Sequence, residues 1–441
     1  MNRLIAWTLN FAYLLVLLLC APMIAWVAVR KGKYREGWGA KLLGQVPRRT
    51  GEGPCVWVHA VSVGEVNLLA TTLRELASRR PDLLVVISTT TKTGYDLALR
   101  KYGNEHTVFY CPLDFTWAVR RAVERVRPDL LVLAELELWP NLIAAAKRHG
   151  AGVAIINGRL SDNSYRGYRR LRWLVGRVLS QIDVIAAQDQ TTADRFTQLA
   201  TNPQTILSTG SLKYDGAATN RDNPRTKSLS QLAGFTDEHL VFLAGSTQAP
   251  EEAMAIRLFG KLHSQYPQLR VVLVPRHPER FDEVAELLAE SPYAWQRRST
   301  LEEGTLADGD NSILLVDTIG ELGGWWGRAD IGFVGGSFGD RGGQNMIEPA
   351  AYGVATSFGP NTWNFRDIVA ALLHADGAEV VADEAALQAF VERCLADPAY
   401  RTELGDRARQ FIATQLGATA RTVELLLTLL PAAPQTTHAA A

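Results

Sequence analysis

The feature that most constrains this chain is a repeating rhythm of short apolar runs and amphipathic helical stretches, played twice with a polar pause between. Cys55–Ala60, Leu83–Ser88, Thr107–Cys111, Leu130–Ala134, Val153–Asn157 and Ile182–Ala186 have the length and apolar content of buried strands. Helical patterns such as Glu65–Ser78, Trp117–Arg127 and Trp139–Arg148 lie between them. Such alternation makes a parallel sheet covered on both faces. The pattern pauses after Ile206–Thr209, and the polar stretch Tyr214–Ser230 reads as a linker. It resumes with Leu240–Ala244, Val271–Val274, Ile313–Val316, Ile331–Val334 and Ala378–Val381. A chain of 441 residues exceeds one ordinary core. The fold class is therefore α/β: two doubly wound Rossmann-type domains facing a central cleft, where ligands bind at the carboxyl ends of the strands. The expected divisions are 1–30 for an anchor helix, 31–52 for a basic linker, 53–212 and 239–430 for the two domains, 213–238 between them, and 431–441 for a disordered tail after the helical run Ala418–Leu430.

The amino terminus departs from this pattern. No charged residue occurs from Leu4 to Val29, which is long enough to cross a bilayer as a helix. Trp7, Tyr13 and Trp26 suit interfacial positions. Arg30, Lys31, Lys33 and Arg35 follow at once, so the positive-inside rule keeps the rest of the chain in the cytoplasm, on the inner membrane. A cleaved signal peptide fits less well, because only Arg3 precedes the run and the run is overlong. A lipoprotein signal fits poorly too, since Leu19 stands where a small residue precedes a modified cysteine.

Charge and cysteines narrow the function classes. Lys+Arg 46 and Asp+Glu 46 cancel, which argues against a broad nucleic-acid surface. Cys20, Cys55, Cys111 and Cys394 are far apart, have no metal-ligand spacing and suit reduced thiols.

Candidate chemistry sits at predicted strand ends. After Ile331–Val334 come Gly335, Gly336 and Ser337, a loop through Arg341-Gly342-Gly343-Gln344-Asn345, then Glu348-Pro349 opening a helix. Glycines after a strand let backbone approach a phosphate, and a helix start offers free N–H donors. Glu348 is placed to accept ribose hydroxyls. His59–Glu65 follows the first strand, and from spacing alone Glu65 is either a proton acceptor or a partner of the helix dipole. Glu135 and Glu137 follow Leu130–Ala134 on one side of the chain, as a polar cleft wall or as a cap of the next helix. Arg276 in Pro275–Arg280 suits a phosphate or carboxylate, and the nearby His277 reads as structural. Asp308-Gly309-Asp310 reads as a solvated turn rather than a metal site.

Together these segments resemble the Kdo transferase family, which adds 3-deoxy-D-manno-octulosonic acid to lipid A precursors. The resemblance runs through the anchor and basic linker, His59–Glu65, Ser88–Gly94, Glu135–Pro140, Ile156–Ser161, Thr209–Tyr214, Ala244–Thr247, Pro275–Arg280, Asp317–Leu322, Phe333–Pro349 and Phe358–Arg366. It implies a GT-B fold, an inverting glycosyltransferase, a CMP-Kdo donor, a lipid A precursor as acceptor at the bilayer, and no metal or other cofactor. It also implies Glu65 as general base, with Ser62, Glu135 and Glu137 on the acceptor side. The donor set it implies is Lys213, Arg276, Thr318, Gly320, Glu321, Gly335, Gly336, Ser337, Asn345 and Glu348, with Thr318, Gly320 and Glu321 at the base. Gln344 stands where the family usually has His, Ser211 where it has Asn and Gly158 where it has Ala, and Asp340 adds an acid. Gln344 cannot titrate, which removes a proton-transfer role at that position. The rival readings are a transferase of the same fold using a UDP-sugar, like lipid A disaccharide synthase, and a membrane-tethered sugar-binding protein.

Overall fold

Apolar runs form the strands, and every strand lies parallel to its neighbours. The computed structural model describes residues 3–31, 36–200, 206–301 and 312–432. In the first sheet, β1 (Cys55–His59), β2 (Leu84–Thr89), β3 (Thr107–Tyr110), β4 (Leu130–Ala134), β5 (Gly152–Gly158), β6 (Val184–Ala187) and β7 (Ile206–Ser208) run in the order β3-β2-β1-β4-β5-β6-β7. The second sheet contains β8 (Leu240–Thr247), β9 (Leu269–Pro275), β10 (Ala294–Arg297), β11 (Ser312–Leu315), β12 (Ile331–Val334), β13 (Ala355–Phe358) and β14 (Glu379–Val380), ordered β10-β11-β9-β8-β12-β13-β14. The strand order reverses between β1 and β4 in one sheet and between β8 and β12 in the other. Those are the switch points where α/β sheets bind ligands.

Alternation along the strands builds a core on each face of the first sheet. Trp57, Leu131, Leu133, Val153 and Ile155 enter one cluster, while Val56, Val58, Leu130, Val132 and Ala154 enter the other. Each such valine, leucine or isoleucine, fully buried, contributes about 1.5–3 kcal/mol. The helix Val63–Arg79 covers the second face because Val66, Leu69, Leu73 and Leu76 recur at helical spacing.

The chain divides into two compact units, Met1–Gly216 with Leu416–Ala441, and Ala217–Gln415. This differs from the sequence divisions in two places. The last helix, Ala418–Thr428, was expected in the second domain, but Ala418, Leu426 and Leu430 pack with Val56, Val58 and Leu69 of the first unit. The expected linker contains a helix, Pro224–Leu232, begun by the Asn223 side chain accepting from the Thr226 N–H at 2.9 Å. Gly324 and Gly327 allow its close approach, since a Cβ on either would meet Leu229 at 2.7 Å or Thr226 at 2.2 Å.

Two strands have no counterpart in the sequence reading. β13 carries Thr356 and Ser357, polar but fully buried because their hydroxyls donate to the Val354 and Gly332 carbonyls. β10 is a half-buried edge strand ending in Gln296 and Arg297, so its apolar signal is weak. The Asp308–Asp310 turn and the tail beyond 432 lie outside the described residues.

The amino-terminal helix Arg3–Lys31 contains one segment, Ile5–Arg30, long and apolar enough to cross a membrane. Trp7, Phe11, Leu18, Leu19 and Trp26 are exposed along it. Asn10 is the exception at 3% exposure. Its amide donates to Thr116 Oγ1 at 2.8 Å and its carbonyl accepts from the Thr116 N–H at 3.1 Å. Tyr13 adds an edge contact to Phe115 and a long hydrogen bond, 3.4 Å, to Asp114. The helix is thus held against the first unit by two polar side chains that its hydropathy conceals.

Candidate active site

In the first unit, three carboxylates gather where β1 and β4 end. Glu65 occupies the third position of the helix Val63–Arg79, whose cap is Ser62. Its carboxylate accepts from the Val61 N–H at 2.8 Å and from the Ser62 hydroxyl at 2.7 Å, while the Glu65 N–H donates to Ser62 Oγ at 3.3 Å. The pairing resembles a capping box, except that Glu65 reaches the Val61 N–H instead of that of the cap residue, and it holds the Glu65 side chain in place. Glu65 is 7% exposed, so its remaining lone pairs face a nearly closed space.

Glu135 follows β4 with φ at 57°, a left-handed conformation that costs a non-glycine residue free energy and re-aims its side chain. Two residues on, Glu137 accepts from the Trp139 indole N–H at 2.8 Å. The charges act on one another. Burial, then the Glu65 and Glu135 charges, push Glu137 up to about 7 against the Trp139 hydrogen bond. Burial and the charge of Glu65 also raise Glu135, while Lys213 and Arg159 pull it down. Glu137 therefore stays largely protonated below neutrality.

Behind them, the buried His59 ring sits edge-on to Trp139, with centroids 5.9 Å apart. Its Nδ1 lies 3.2 Å from the Ser88 carbonyl and 2.9 Å from Ser88 Oγ. Burial lowers it to about 4, so the ring is neutral and supports Trp139 rather than carrying protons. Lys213, expected with the donor residues, belongs to the first unit and acts on Glu135. Asn157, buried at φ 53°, accepts from the Leu212 N–H at 3.0 Å and so holds the segment that carries Lys213. Its side chain carries no periodic signal, so only the fold exposes that role.

In the second unit, the structure brings Arg276, Asn345 and Glu348 together. The Asn345 amide donates to Glu348 Oε1 at 3.1 Å, and its carbonyl accepts from the Ile347 N–H at 3.1 Å. Burial raises Glu348, opposed by the Asn345 hydrogen bond and by the charge of Arg276. Glu348 Oε2 faces Gly323, where a Cβ would stand 3.7 Å away. Arg276 forms no ion pair among the described residues, which leaves its guanidinium available to an anion.

The remaining expected donor residues are arranged differently. The N–H groups of Gly336, Ser337 and Phe338 donate to the Glu251 carboxylate at 2.8, 3.0 and 3.2 Å, and Gln248 adds a fourth at 2.9 Å. A buried internal carboxylate thus fills the β8/β12 switch point and takes the amides expected to cradle a phosphate. Gly335 is required for packing, since a Cβ there would meet Thr247 Cα at 2.6 Å. Ser337 Oγ donates to the Val334 carbonyl at 2.6 Å and accepts from the Gly359 N–H at 2.8 Å, bracing the loop. Gln344 lies over Gly336, its Nε2 3.3 Å from where a Cβ would stand. Glu321 is held by both Arg298 nitrogens at 2.9 and 2.8 Å and by Thr318 at 2.8 Å, while the Gly320 carbonyl accepts from Arg225. Glu251 and Arg298 were not singled out in the sequence; the long-range pairing of an acid with loop amides leaves no local signature. Among the described residues, no group of three or more His, Cys, Asp or Glu is placed to hold a metal ion.

Two doubly wound parallel units, with polar side chains gathered at the carboxyl ends of their central strands, define a GT-B-like protein. The fold is shared with MurG from Acinetobacter baumannii (TM-score 0.54, 15% identity, covering 86% of this chain and 100% of that one). The chain belongs to the 3-deoxy-D-manno-octulosonic acid (Kdo) transferase family. The family profile described as 3-deoxy-D-manno-octulosonic-acid transferase matches residues 36–216. A 3-deoxy-D-manno-octulosonic acid transferase of Haemophilus influenzae is 32% identical over 95% of this chain and 98% of its own length. One from Bordetella pertussis is 35% identical over 84% and 86%.

Proposed function

We propose that this chain transfers Kdo from CMP-Kdo to a lipid A precursor in lipopolysaccharide biosynthesis, with inversion at the anomeric carbon and without a metal. Membership of the transferase family supports the donor sugar. The observation that carries the mechanism is the coupled acid cluster at the end of β1 and β4. Glu65, held by Val61 and Ser62, accepts the proton of the acceptor hydroxyl as that oxygen attacks. Glu137, which burial and the neighbouring carboxylates push up to about 7, adds less negative charge to the cluster than an ordinary glutamate would. Lys213 offsets the charge of Glu135 and is available to an anionic substrate group.

On the second unit, Glu348 takes the ribose hydroxyls and Arg276 the phosphate or the sugar carboxylate. Asn345 orients Glu348 from the other side. Because Glu251 occupies the Gly336–Phe338 amides, the charge that develops on the CMP phosphate is met by Arg276 rather than by those N–H groups. Glu321, neutralised by Arg298, lines the proposed base pocket as an ion pair rather than as a free acid.

The apolar helix Ile5–Arg30 supports attachment to the inner membrane with the two units on the cytoplasmic side. The deciding assay uses purified full-length protein, CMP-Kdo and a tetra-acylated lipid A precursor, read by mass spectrometry with and without chelator. Formation of the Kdo adduct in both conditions, with CMP a stronger inhibitor than UDP, supports the reading. No adduct from CMP-Kdo, with turnover from a UDP-sugar, overturns it.

A further inference from the structure

A carboxylate taken out of water without a cation is costly unless hydrogen bonds hold it, and the second unit contains one such group beneath its glycine loop. Glu251 opens the helix Glu251–Leu262 that follows β8 and is 2% exposed. Its neighbour Glu252 is paired with Arg280, whereas Glu251 has no ion pair among the described residues. Four backbone N–H groups hold it instead. One oxygen accepts from Gln248 and Gly336, the other from Ser337 and Phe338. Burial still raises its ionisation against those four bonds.

Successive amides converging on one anion form a nest, a backbone shape that ordinarily collects an external anion. Gly336, at φ 65°, turns the chain to make it. Gly335 lets the acid reach it, since a Cβ there would stand 2.7 Å from Glu251 Oε2. An acid that only capped its own helix would bind amides close by in the chain. Gln248 is such an amide, but the other three lie 85 to 87 residues away.

The nest is tied to the ribose end of the site. The Gly336 carbonyl accepts from the Gly343 N–H at 2.8 Å. Gly343 stands two residues before Asn345, whose amide donates to Glu348 at 3.1 Å. On the other side, the Ser337 carbonyl accepts from the Asn361 N–H at 2.9 Å, and the Phe338 carbonyl from the Asn361 side chain at 3.1 Å. Each nest residue thus has its N–H on Glu251 and its carbonyl on a neighbouring loop.

We propose that Glu251 is a positioning residue of the donor site: its carboxylate is a built-in anion that shapes the Gly336–Phe338 nest before any nucleotide arrives and, through Gly343, sets Asn345 and Glu348 for the ribose. This rests on the reading of Glu348 as the ribose contact. Both oxygens of Glu251 are filled by the protein's own amides, so its effect reaches the nucleotide only through the loop.

The test is CMP binding by calorimetry to the full-length chain carrying Glu251→Ala, with and without sodium formate, whose carboxylate fits the vacated nest. Alanine removes all four acceptor contacts, and CMP affinity should fall towards the loss expected when Glu348 itself is removed, roughly 10–10²-fold. Formate should restore most of that loss saturably and leave the parent unchanged. Glu251→Gln is the companion variant. It fills the space and turns an amide NH2 towards two of the four N–H groups, so affinity should fall with no recovery by formate. Hydrogen exchange at Gly336–Phe338, read by mass spectrometry, should quicken in both variants and slow again in Glu251→Ala with formate.

Parent-like CMP affinity in either variant overturns the inference. So does a loss in Glu251→Ala that formate fails to recover, because the acid would then act by packing alone. If Glu251→Ala does not fold, Glu251→Gln decides: weakened CMP binding with faster exchange at 336–338 supports the inference, and parent-like values of both overturn it. Failure of the ribose reading looks different. Glu348→Ala would then bind CMP as the parent does, and the formate-dependent exchange of the nest would alone decide whether Glu251 shapes the loop.

Discussion

Glu65→Gln probes both the mechanism and the electrostatics of the acid cluster. Glutamine keeps the length of the side chain, and its carbonyl can still accept from the Val61 N–H that now lies 2.8 Å from Glu65. Its amide can donate to Ser62 Oγ, which presently donates to the carboxylate at 2.7 Å. The helix cap therefore survives, and the stability loss should not exceed about 1 kcal/mol. Basicity does not survive. A positioned base is worth roughly 10²–10⁴-fold in rate, so the chemical step should slow by that factor, about 3–5 kcal/mol of barrier. A second signature follows from the geometry. The Glu65 charge is, after burial, the leading cause of the raised Glu137, so neutralising it should bring Glu137 down from about 7 towards the ordinary carboxylate range. Single-turnover kinetics with pre-bound donor measures the first effect, and carboxyl-labelled NMR titration measures the second. Turnover within about threefold of the parent, with Glu137 shifted as described, would show that Glu65 is only a cap and an electrostatic neighbour. The catalytic assignment would then pass to Glu135 or Glu137.

Glu137→Gln has a stability prediction with a definite sign. The folded chain keeps Glu137 protonated up to about 7 whereas a free glutamate ionises near 4.5, so its contribution is present below 4.5 and is lost as pH rises through 7. Melting curves of the variant should fall less between those pH values than those of the parent, and parallel curves would refute the raised carboxyl. Glu348→Ala should weaken CMP binding by roughly 10–10²-fold, the usual worth of hydrogen bonds to a charged group, without loss of folding. Unchanged CMP affinity in calorimetry would place the nucleotide elsewhere. Asn10→Cys with Thr116→Cys should cross-link in native membranes, because Asn10 now exchanges two hydrogen bonds with Thr116. A helix rises 1.5 Å per residue, so a fully spanning helix with Arg30 at the cytoplasmic face would carry Asn10 about 30 Å away and prevent the link.

The sequence alone determined the elements and their rhythm. β4 and β12 were readable to the residue, since buried parallel strands are uninterrupted apolar runs. Glu65, Glu135, Asn345 and Glu348 were readable as candidates because each follows such a run, and the carboxyl end of a strand is where a doubly wound sheet presents polar groups. What failed was whatever depends on partners distant in the chain. β13 was missed because Thr356 and Ser357 look solvated until their hydroxyls find buried carbonyls. The last helix, Ala418–Thr428, is placed in the second domain by its position in the chain, but its apolar face fits either sheet and packing selects the one holding Val56 and Val58. The Gly336 and Ser337 amides look free in the sequence, but both donate to Glu251, some 85 residues earlier. Hydrophobic periodicity is a local property and survives in one dimension. Hydrogen bonds and charges between distant residues exist only after the backbone has brought them within about 3 Å, so tertiary structure alone decided which acids gather at the end of β4 and which take up the protein's own loop amides.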